Sequence, residues 1–589
     1  MKVKHFFGLA VIAAMTASCS SNEDLGTAGS GTGTNESGVG YATFTINLPS
    51  TSGTRAGDPT YDQGTAKEYD VNDVTLLIFK KAGTSEDEYT FVEKADLGTM
   101  APWKDENNSN GITASATITA KLSNVALTSE GSTTSDYYAL AILNNKNKAN
   151  EDKITLPTTS STTPPVTYGR WNAASNADET KFKDNTKGFY MANAPVFVAG
   201  GEPTTLVNID KVYATKQKAE TNAATTIHVE RGLAKVSIAS NAFPSTITPS
   251  GTKYNEDKVD ITAWKLDVTN KSTFPIHKTA GLKNTNFSTI WSNTTTTTGA
   301  SVARFVDGSN PSFKRVHWGI DPNYSTALDN LSDCQGAFNV LPANATIDGA
   351  ANEPQYCLEN TFDIEHMKQG QTTRVVFKAK YTPKDFSDGE TFYKIGNSTD
   401  LWNETNLIAQ ITAKAADVLG VASSAITVDL DATENDIKNN AGTRLLKVGN
   451  VKNGSAAVPQ DKIDEINAKL GLKAAGTDPS KDPIVGIATY KSGESYYIAR
   501  IKHFDDLTPW TEGQETYGIN NDANNTKYLG RYGVLRNNWY ELTVGSVSGP
   551  GTPDVPTIKP TEPDDESYKY ISVSVRILSW AKRSSTVDL

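Results

Sequence analysis

Apolar runs of strand length recur along the chain and are separated by long polar stretches. The clearest are a nearly continuous apolar run at residues 74–79, a weaker alternation at 116–122 and a further run at 137–143. Such short runs, bounded by polar segments, are typical of β-strands. Helical periodicity is confined to residues 407–419 and 462–470. The pattern therefore predicts a mainly β protein with a few short helices packed on a β-core.

The domain division is predicted from a change in polarity near the middle of the chain. A polar stretch at residues 215–225 precedes a strand-like segment at 226–238. We therefore predict two β-sandwich domains of the transthyretin-like or Greek-key kind, at residues 56–225 and 226–548.

A hairpin is predicted within the second of these domains. Two tyrosine-bearing segments in residues 484–501 flank the sequence Lys491-Ser492-Gly493-Glu494. Because a glycine-containing turn between two strand-like runs is typical of a hairpin, the two strands are expected to pair with each other.

Two short segments near the ends of the chain share one alternation of apolar and polar residues. Their apolar positions are Ala42, Phe44, Ile46 and Leu48 in the first segment, and Ile571, Val573, Val575 and Ile577 in the second. Alternate side chains of a strand share a face, so each segment offers four apolar side chains at the same spacing. Both could fill the same kind of groove; the alternative is that each is an ordinary edge strand of its own domain.

A single arginine follows the first of these segments. Two glycines and a proline lie around Arg55 in residues 52–59, which predicts an exposed loop that a protease can bind in extended form. Arg55 is the only Lys or Arg between Lys4 and Lys67. An Arg-specific protease would cut between Arg55 and Ala56 and release everything before the cut. The alternative is an incidental surface arginine.

The N-terminus predicts export and a lipid anchor. Two lysines precede an apolar stretch at residues 6–15, which is too short to span a bilayer and suits a signal peptide. Small residues then lead to Cys19, as in a lipobox whose thiol is acylated; the alternative is an ordinary signal peptide with an incidental cysteine. We predict a lipoprotein signal at residues 1–19 and a propeptide at 20–55 that contains a tether and the first strand.

Composition narrows the range of functions. The 589 residues carry a formal net charge of −11, which argues against a nucleic-acid partner. Six His and three Cys, without a CxxC pair, predict no metal site and no cofactor. The absence of HExxH, nucleophile-elbow and phosphate-loop motifs predicts no catalytic residue and a protein that is not an enzyme. Because Asp and Glu are abundant, a glycosidase carboxylate pair is the one catalytic site that this reasoning leaves open.

The two remaining cysteines, Cys334 and Cys357, would meet an oxidising compartment after export. With 22 residues between them, they are a possible disulfide. The alternative is a pair of buried free thiols.

The C-terminal part, residues 549–589, is predicted to be a linker followed by the last strand. Residues 549–567 contain five prolines with acidic residues between them, which predicts an extended segment that forms no core. As polyproline II it would span up to roughly 60 Å, at about 3.1 Å per residue. That reach would let the last strand leave its own domain and reach a neighbouring molecule.

Several segments, taken in order, resemble one known family. They are the lipobox at Cys19, residues 54–58, 188–193, 231–236, 264–271, 356–361 and 532–540, and the ending from Trp580 to Leu589. Over nearly the whole chain, this ordered set resembles the Mfa-like major subunits, or fimbrillins, of Bacteroidales type V fimbriae.

The resemblance implies a structural shaft subunit that assembles by donor-strand exchange. In the precursor, residues 41–49 would complete the first domain. Cleavage after Arg55 would then open a groove for the segment from Ile571 to Ile577 of the next subunit, its donor strand. The implied partners are other copies of the chain, accessory fimbrial subunits, an Arg-specific protease, the outer membrane through the lipid, and a host or bacterial surface receptor.

Two alternative functions remain open. A surface glycan-binding lipoprotein would share the signal and the sandwiches and would expose tryptophans such as Trp103, Trp171, Trp291 and Trp510, although burial in the core also accounts for them. An accessory or tip fimbrial subunit is the second alternative. An anchor subunit should lack the cleavage loop and a tip subunit the donor strand, so a chain with both features favours the shaft.

Overall fold

Strands dominate the structure, a computed structural model of the chain. It describes residues 39–49, 66–100, 103–105, 112–129, 135–159, 165–174, 177–197, 202–239, 253–282, 315–325, 327–363, 365–477, 479, 482–503, 529–564 and 571–579. The strands up to Arg231 are β1 (Gly40–Pro49), β2 (Val74–Lys80), β3 (Thr90–Gly98), β4 (Lys104–Asp105), β5 (Ile112–Leu122), β6 (Tyr137–Leu143), β7 (Ala177–Asp178), β8 (Met191–Asn193), β9 (Val207–Asn208) and β10 (Thr225–Arg231).

The later strands begin directly after Gly232. They are β11 (Leu233–Ile238), β12 (Lys258–Asp267), β13 (Thr269–Asn270), β14 (Ser272–Thr273), β15 (Phe338–Asn339), β16 (Gln355–Leu358), β17 (Arg374–Thr382), β18 (Phe392–Ile395), β19 (Leu401–Trp402), β20 (Ile426–Val428), β21 (Gly442–Arg444), β22 (Val451–Asn453), β23 (Ala456–Ala457), β24 (Ile487–Tyr490), β25 (Glu494–Arg500), β26 (Asn538–Val547) and β27 (Ile571–Ser579).

Helices are short, with one exception. They are α1 (Ala66–Tyr69), α2 (Tyr168–Ala174), α3 (Glu179–Lys183), α4 (Lys216–Glu220), α5 (Leu331–Ala337), α6 (Glu404–Leu419) and α7 (Gln460–Lys469). Within the described ranges, no helix has the length and apolar character needed to cross a membrane. The two longest, α6 and α7, confirm the helices predicted at 407–419 and 462–470.

Nine of the first ten strands form one sheet, in the order β3-β2-β6-β8-β10-β1-β5-β4 with β9 beside β6. Residues 225–228 of β10 pair with β1, and residues 229–231 pair with β8. Side chains of β1 and β2 share one apolar core although three strands separate them in the sheet. The sheet therefore folds over at β10 into the two layers of a sandwich.

Strand β2 explains why one predicted strand is apolar at nearly every position. Leu76 and Ile78 lie in the core between the two layers, whereas Leu77 and Phe79 lie in a second apolar cluster on the opposite face. A strand covered on both faces has no position that faces water, so its sequence does not alternate.

The second sandwich encloses its own core between two sheets, in the orders β16-β11-β26-β27 and β12-β17-β25. Trp264 of β12 is fully buried there, and its indole N–H donates to the Ala350 carbonyl at 2.8 Å. The chain enters this sandwich at Gly232, a few residues beyond the predicted domain boundary. The predicted mainly β fold, with sandwich domains and few helices, is confirmed.

An inserted unit interrupts the second sandwich between β17 and β25, which pair with each other. It contains α6, α7 and two small sheets, in the orders β19-β18-β24-β21 and β20-β22-β23, around a separate apolar core. The Asn403 side chain caps the start of α6, and Gly420 ends it with a φ of 64°. Leu407, Ile411 and Ala415, spaced four residues apart, face the core.

The predicted hairpin at 484–501 is wrong. Strand β24 pairs with β18 and β21 of the inserted unit, whereas β25 pairs with β17 of the second sandwich. A single 3₁₀ turn, Lys491–Gly493, redirects the chain from one sheet to the other, with Ser492 at a φ of 54°. The local turn was recognisable, but the insertion determines which strands pair.

The proline-rich segment also departs from the prediction. Residues 548–564, here called the strap, follow β26 and pack on the second sandwich. Val555 and Ile558 of the strap are 1% and 6% exposed and belong to two different apolar clusters. The expectation that this segment forms no core is therefore wrong.

Candidate functional site

Strand β1 is an inner strand of the first sandwich. It runs antiparallel to β5 and parallel to β10, so it is hydrogen-bonded on both sides. Its apolar side chains Ala42, Phe44, Ile46 and Leu48 are at most 2% exposed and line the core. The space that β1 fills between β5 and β10 is called the acceptor groove below.

The opposite face of β1 carries a matching polar pattern. The Thr43 hydroxyl lies 2.8 Å from that of Thr119, and the Thr45 hydroxyl lies 2.8 Å from that of Thr117. Both partners belong to β5. A shift of β1 by one residue would turn its apolar side chains away from the core and would separate these pairs, so the register is strongly defined.

The predicted cleavage site follows β1 directly. Arg55 and Ala56 lie outside the described residues, as do Cys19 and the whole predicted signal at residues 1–19. The described chain resumes at α1, where Glu68 is buried.

Glu68 joins α1 to the second sandwich. The Lys235 ammonium lies 2.8 Å from the Glu68 carboxylate, and the Tyr356 hydroxyl donates to the same carboxylate. The Arg231 Nε–H donates to the Glu68 carbonyl at 2.7 Å. From α1 onwards the chain is thus held by contacts other than those of β1, and a cut at Arg55 would leave α1 attached.

Strand β27 contains the predicted donor positions and lies at the edge of a sheet. Among the described strands it pairs with β26 alone, in antiparallel register. Ile571, Val573, Val575 and Ile577 are opposite Val547, Val544, Leu542 and Tyr540 of β26, all of which belong to the buried core. The donor positions are thus already paired within the molecule, in register with a strand of the second sandwich.

The structure does not join the two cysteines. Cys334 and Cys357 are free, fully buried and in different apolar clusters. Burial raises the pKa of the Cys334 thiol to about 11 and that of Cys357 to about 12. The structure therefore corresponds to the alternative of two buried, unreactive thiols.

Two of the four tryptophans proposed for glycan contact lie within the described residues. Trp171 is buried in α2, and its indole N–H donates to the Thr155 carbonyl at 2.9 Å. Trp103 is partly buried, whereas Trp291 and Trp510 lie outside the described residues. No group of three or more His, Cys, Asp or Glu side chains in the described part of the chain is arranged to hold a metal ion.

A buried charge network at the junction of the two sandwiches escaped the sequence analysis. Glu230 of β10 pairs with Arg315 and lies 3.1 Å from His277 Nδ1. Glu359 pairs with Arg536, and its carboxylate lies 3.8 Å from His277 Nε2. Burial opposes ionisation of Glu230, but Arg315 and His277 outweigh it and hold the pKa of that carboxyl below its usual value. No local sequence motif indicates this network, because its members are far apart in sequence.

Asp321 is a buried carboxyl beside this network. Its side chain accepts from the Asn323 backbone N–H at 2.8 Å and from the Asn323 and Asn270 side-chain amides. Burial, reinforced by the nearby charge of Glu359, raises the pKa of Asp321 to about 8 despite these donors. A proton is therefore retained in the folded state at pH values where the unfolded chain has lost it.

We expect Asp321 to make stability depend on pH. A carboxyl whose pKa is higher in the folded state binds more protons there, so stability falls as pH rises from about 4 towards about 8. Asp321→Asn should remove this fall. The difference in unfolding free energy between the two proteins should therefore change by at least about 1.4 kcal/mol, the value of one pKa unit, between about pH 4 and about pH 8. Urea unfolding at successive pH values measures the difference. Parallel curves for the two proteins would contradict the assignment.

Comparison with known proteins connects the C-terminal part of the chain with fimbriae. Residues 488–586, which include β25, β26, the strap and β27, match the family model described as major fimbrial subunit protein type IV, fimbrillin, C-terminal. The predicted resemblance to fimbrillins is confirmed by this match. A comparison with curated proteins returns no match.

Several solved structures are similar to this chain at low identity. A protein from Parabacteroides distasonis assigned to cell adhesion has a TM-score of 0.38 at 10% identity, covering 92% of this chain and 98% of its own. A fimbrilin from Porphyromonas gingivalis has a TM-score of 0.33 at 12% identity, covering 92% and 99%. A fimbrial assembly protein from Parabacteroides distasonis has a TM-score of 0.27 at 13% identity, covering 62% and 94%. Because all three TM-scores are below 0.5, these likenesses carry no functional argument.

Proposed function

We propose that the chain is the structural shaft subunit of a cell-surface fimbria that supports adhesion. In this proposal the precursor is exported, acylated at Cys19 and held on the outer membrane until an Arg-specific protease cuts after Arg55. Other copies of the chain and accessory fimbrial subunits are then its partners in assembly, and a surface receptor is the partner in adhesion.

One observation carries the proposal: the strand that precedes Arg55 is an inner strand. Its three large apolar side chains, Phe44, Ile46 and Leu48, contribute on the order of 5–9 kcal/mol through burial. A cut at Arg55 would end the covalent link between β1 and the rest of the domain, so that β1 could leave. The acceptor groove would then expose its apolar walls and the unpaired edges of β5 and β10, a state that favours capture of another strand.

Strand β27 is suited to replace β1. It has the same apolar spacing, and among the strands that the structure describes it pairs on one side only. In the acceptor groove of a neighbour it would pair with β5 and with β10, as β1 does. Exchange therefore gains a second hydrogen-bonded ladder and fills a groove that would otherwise be empty.

The proposal is tested with precursor lacking residues 1–20. Brief treatment with an Arg-specific protease should give a ladder on SDS gels run without boiling, with Ala56 as the new N-terminus. A version that ends at Ser567 should be cut but should form no ladder. Arg55→Lys keeps the charge and should resist both cleavage and assembly. Arg170→Lys is the matched control, because Arg170 is also exposed, and it should behave as the unmodified protein.

Other outcomes would direct the function elsewhere. Cleavage at Arg55 without a ladder would favour an accessory or tip subunit that needs another partner. Resistance of Arg55 together with a stable monomer would contradict the proposal and would favour the glycan-binding lipoprotein.

A further inference from the structure

The strap is attached to the second sandwich at its beginning. Thr552 and Tyr496 exchange two backbone hydrogen bonds of 2.9 Å each. The Gly551 N–H donates to the Ser495 hydroxyl at 2.9 Å, and the Tyr490 hydroxyl donates to the Gly551 carbonyl at 2.8 Å. A Cβ atom at position 551 would lie 2.0 Å from the Tyr496 carbonyl oxygen, so only glycine permits this approach.

The middle of the strap supplies both apolar and polar contacts. Val555 and Ile558 are buried in two clusters of the second sandwich. The Pro556 carbonyl accepts from the guanidinium of Arg374, which is fully buried and donates through Nε to Asp267 at 2.8 Å. Without the strap, this guanidinium would lose one of its acceptors inside the protein.

The strap is also hydrogen-bonded to the second sandwich where it ends. The Gln369 N–H donates to the Glu562 carbonyl at 2.9 Å, and the Asp564 N–H donates to the Met367 carbonyl at 3.1 Å. The Thr372 hydroxyl donates to the Asp564 carboxylate at 2.9 Å, and Asp564 is only 1% exposed. These contacts lie close to the sequence position of the donor strand, which begins at Ile571.

We propose that the strap stays docked during strand exchange, so that the arm carrying the donor strand begins at Asp564. This inference rests on the proposed function. Undocking the strap would expose Val555 and Ile558 and remove an acceptor from Arg374, whereas no strap residue is needed in the acceptor groove. Undocking would therefore cost these contacts without adding any contact to the exchanged strand.

The consequence is a short joint between subunits. Only six residues lie between Asp564 and Ile571, so at about 3.3–3.6 Å per residue the donor strand begins within roughly 25 Å of Asp564. An arm that started at Ser548 would reach roughly 80 Å on the same estimate. A docked strap therefore accepts only a second copy whose acceptor groove opens next to the end of the strap.

A disulfide between the strap and the sandwich tests the inference. Lys368 and Pro563 are directly opposite, between the hydrogen bonds described above, which is the close pair of an antiparallel ladder. Their Cα atoms are then about 4.5 Å apart, within the range that a disulfide spans. The variant is Lys368→Cys with Pro563→Cys in protein lacking residues 1–20. Cys334→Ala is added, because the Cys334 sulfur lies close to Gly370.

The oxidised variant, with the bond verified by mass spectrometry, should form the same ladder after cleavage as its reduced form. A second disulfide, Thr543→Cys with Ser574→Cys, joins β26 to the donor strand and should abolish the ladder until it is reduced. This second variant is the control: it shows that the assay responds when the donor strand cannot leave β26.

The outcomes separate the inference from the function on which it rests. If the disulfide between positions 368 and 563 abolishes the ladder and its reduction restores the ladder, the docked strap is contradicted and strand exchange is not. Absence of a ladder from the unmodified protein would overturn both. Hydrogen exchange provides a readout without any cross-link: the Thr552 and Asp564 amides should be equally protected in monomer and polymer, and loss of protection in the polymer would contradict the inference.

Discussion

Phe44→Ala in the uncleaved precursor is expected to lower its free energy of unfolding by about 3–5 kcal/mol. Phe44 is fully buried in the middle of β1, among side chains from both layers of the first sandwich. The truncated side chain would leave a cavity between the two layers, because the closely packed surroundings relax only in part to fill it. Urea unfolding of the precursor measures the loss. Thr45→Ala, on the other face of the same strand, should cost no more than about 1.5 kcal/mol, because it removes one hydroxyl contact with Thr117.

The same substitution distinguishes an exchangeable strand from an ordinary one. If β1 is replaced in the assembled fibre, as we propose, polymers made from the Phe44→Ala precursor should dissociate in heat or denaturant like polymers of the unmodified protein. The precursor, in contrast, should be cleaved and should assemble faster, because its own strand is held less tightly. Fibres that are weakened as much as the precursor would show that β1 is retained after cleavage.

Alternation was the most informative sequence signal. It predicted which side chains of β1 face the core, because period-two patterning directly reflects a strand with one buried face. The continuous apolar run of β2 was equally informative, since both faces of that strand are covered. Helical periodicity at 407–419 located the helix Glu404–Leu419 to within a few residues of its ends, because its core-facing residues recur every four positions.

The errors have one physical cause: long-range packing overrides a locally correct interpretation. Turn residues at 491–493 do form a turn, but the inserted unit places the strands on either side in different sheets. The strap forms no regular helix or strand, yet such a segment can still bury Val555 and Ile558 where another surface matches them. Proline content excludes regular hydrogen bonding at particular positions and does not exclude packing.

The buried charge network at the junction between the sandwiches could not be predicted from the sequence, for a different reason. Glu230 and Glu359 become neighbours of His277 only after both sandwiches have formed. Nothing in the local sequence indicates that the arginine partner of Glu230 is 85 residues away and that of Glu359 is 177 residues away. The same limit applies to Glu68, whose partners Lys235 and Tyr356 belong to the other sandwich.

Arg536→Met is expected to be among the most damaging single substitutions in this chain, with a loss of about 3–5 kcal/mol. The guanidinium pairs with Glu359 and also donates to the backbone carbonyls of Phe274 and Pro275, at 2.9 Å and 3.2 Å. Its removal leaves a buried carboxylate and two carbonyls without this donor. Unfolding free energy at pH 7 measures the effect. Lys473→Met, which breaks a solvent-exposed pair with Asp482, should change stability by no more than about 1 kcal/mol.

A double variant shows whether the loss comes from the stranded charge. Arg536→Met combined with Glu359→Gln removes both charges, and it should recover a large part of the stability that Arg536→Met alone loses, because a neutral amide is far less costly to bury than a carboxylate. If the double variant is as unstable as the sum of the two single variants, the arginine acts through its carbonyl contacts and the pairing with Glu359 contributes little. Recovery would instead identify charge balance, rather than the carbonyl contacts, as the main contribution of Arg536 to the junction between the two sandwiches.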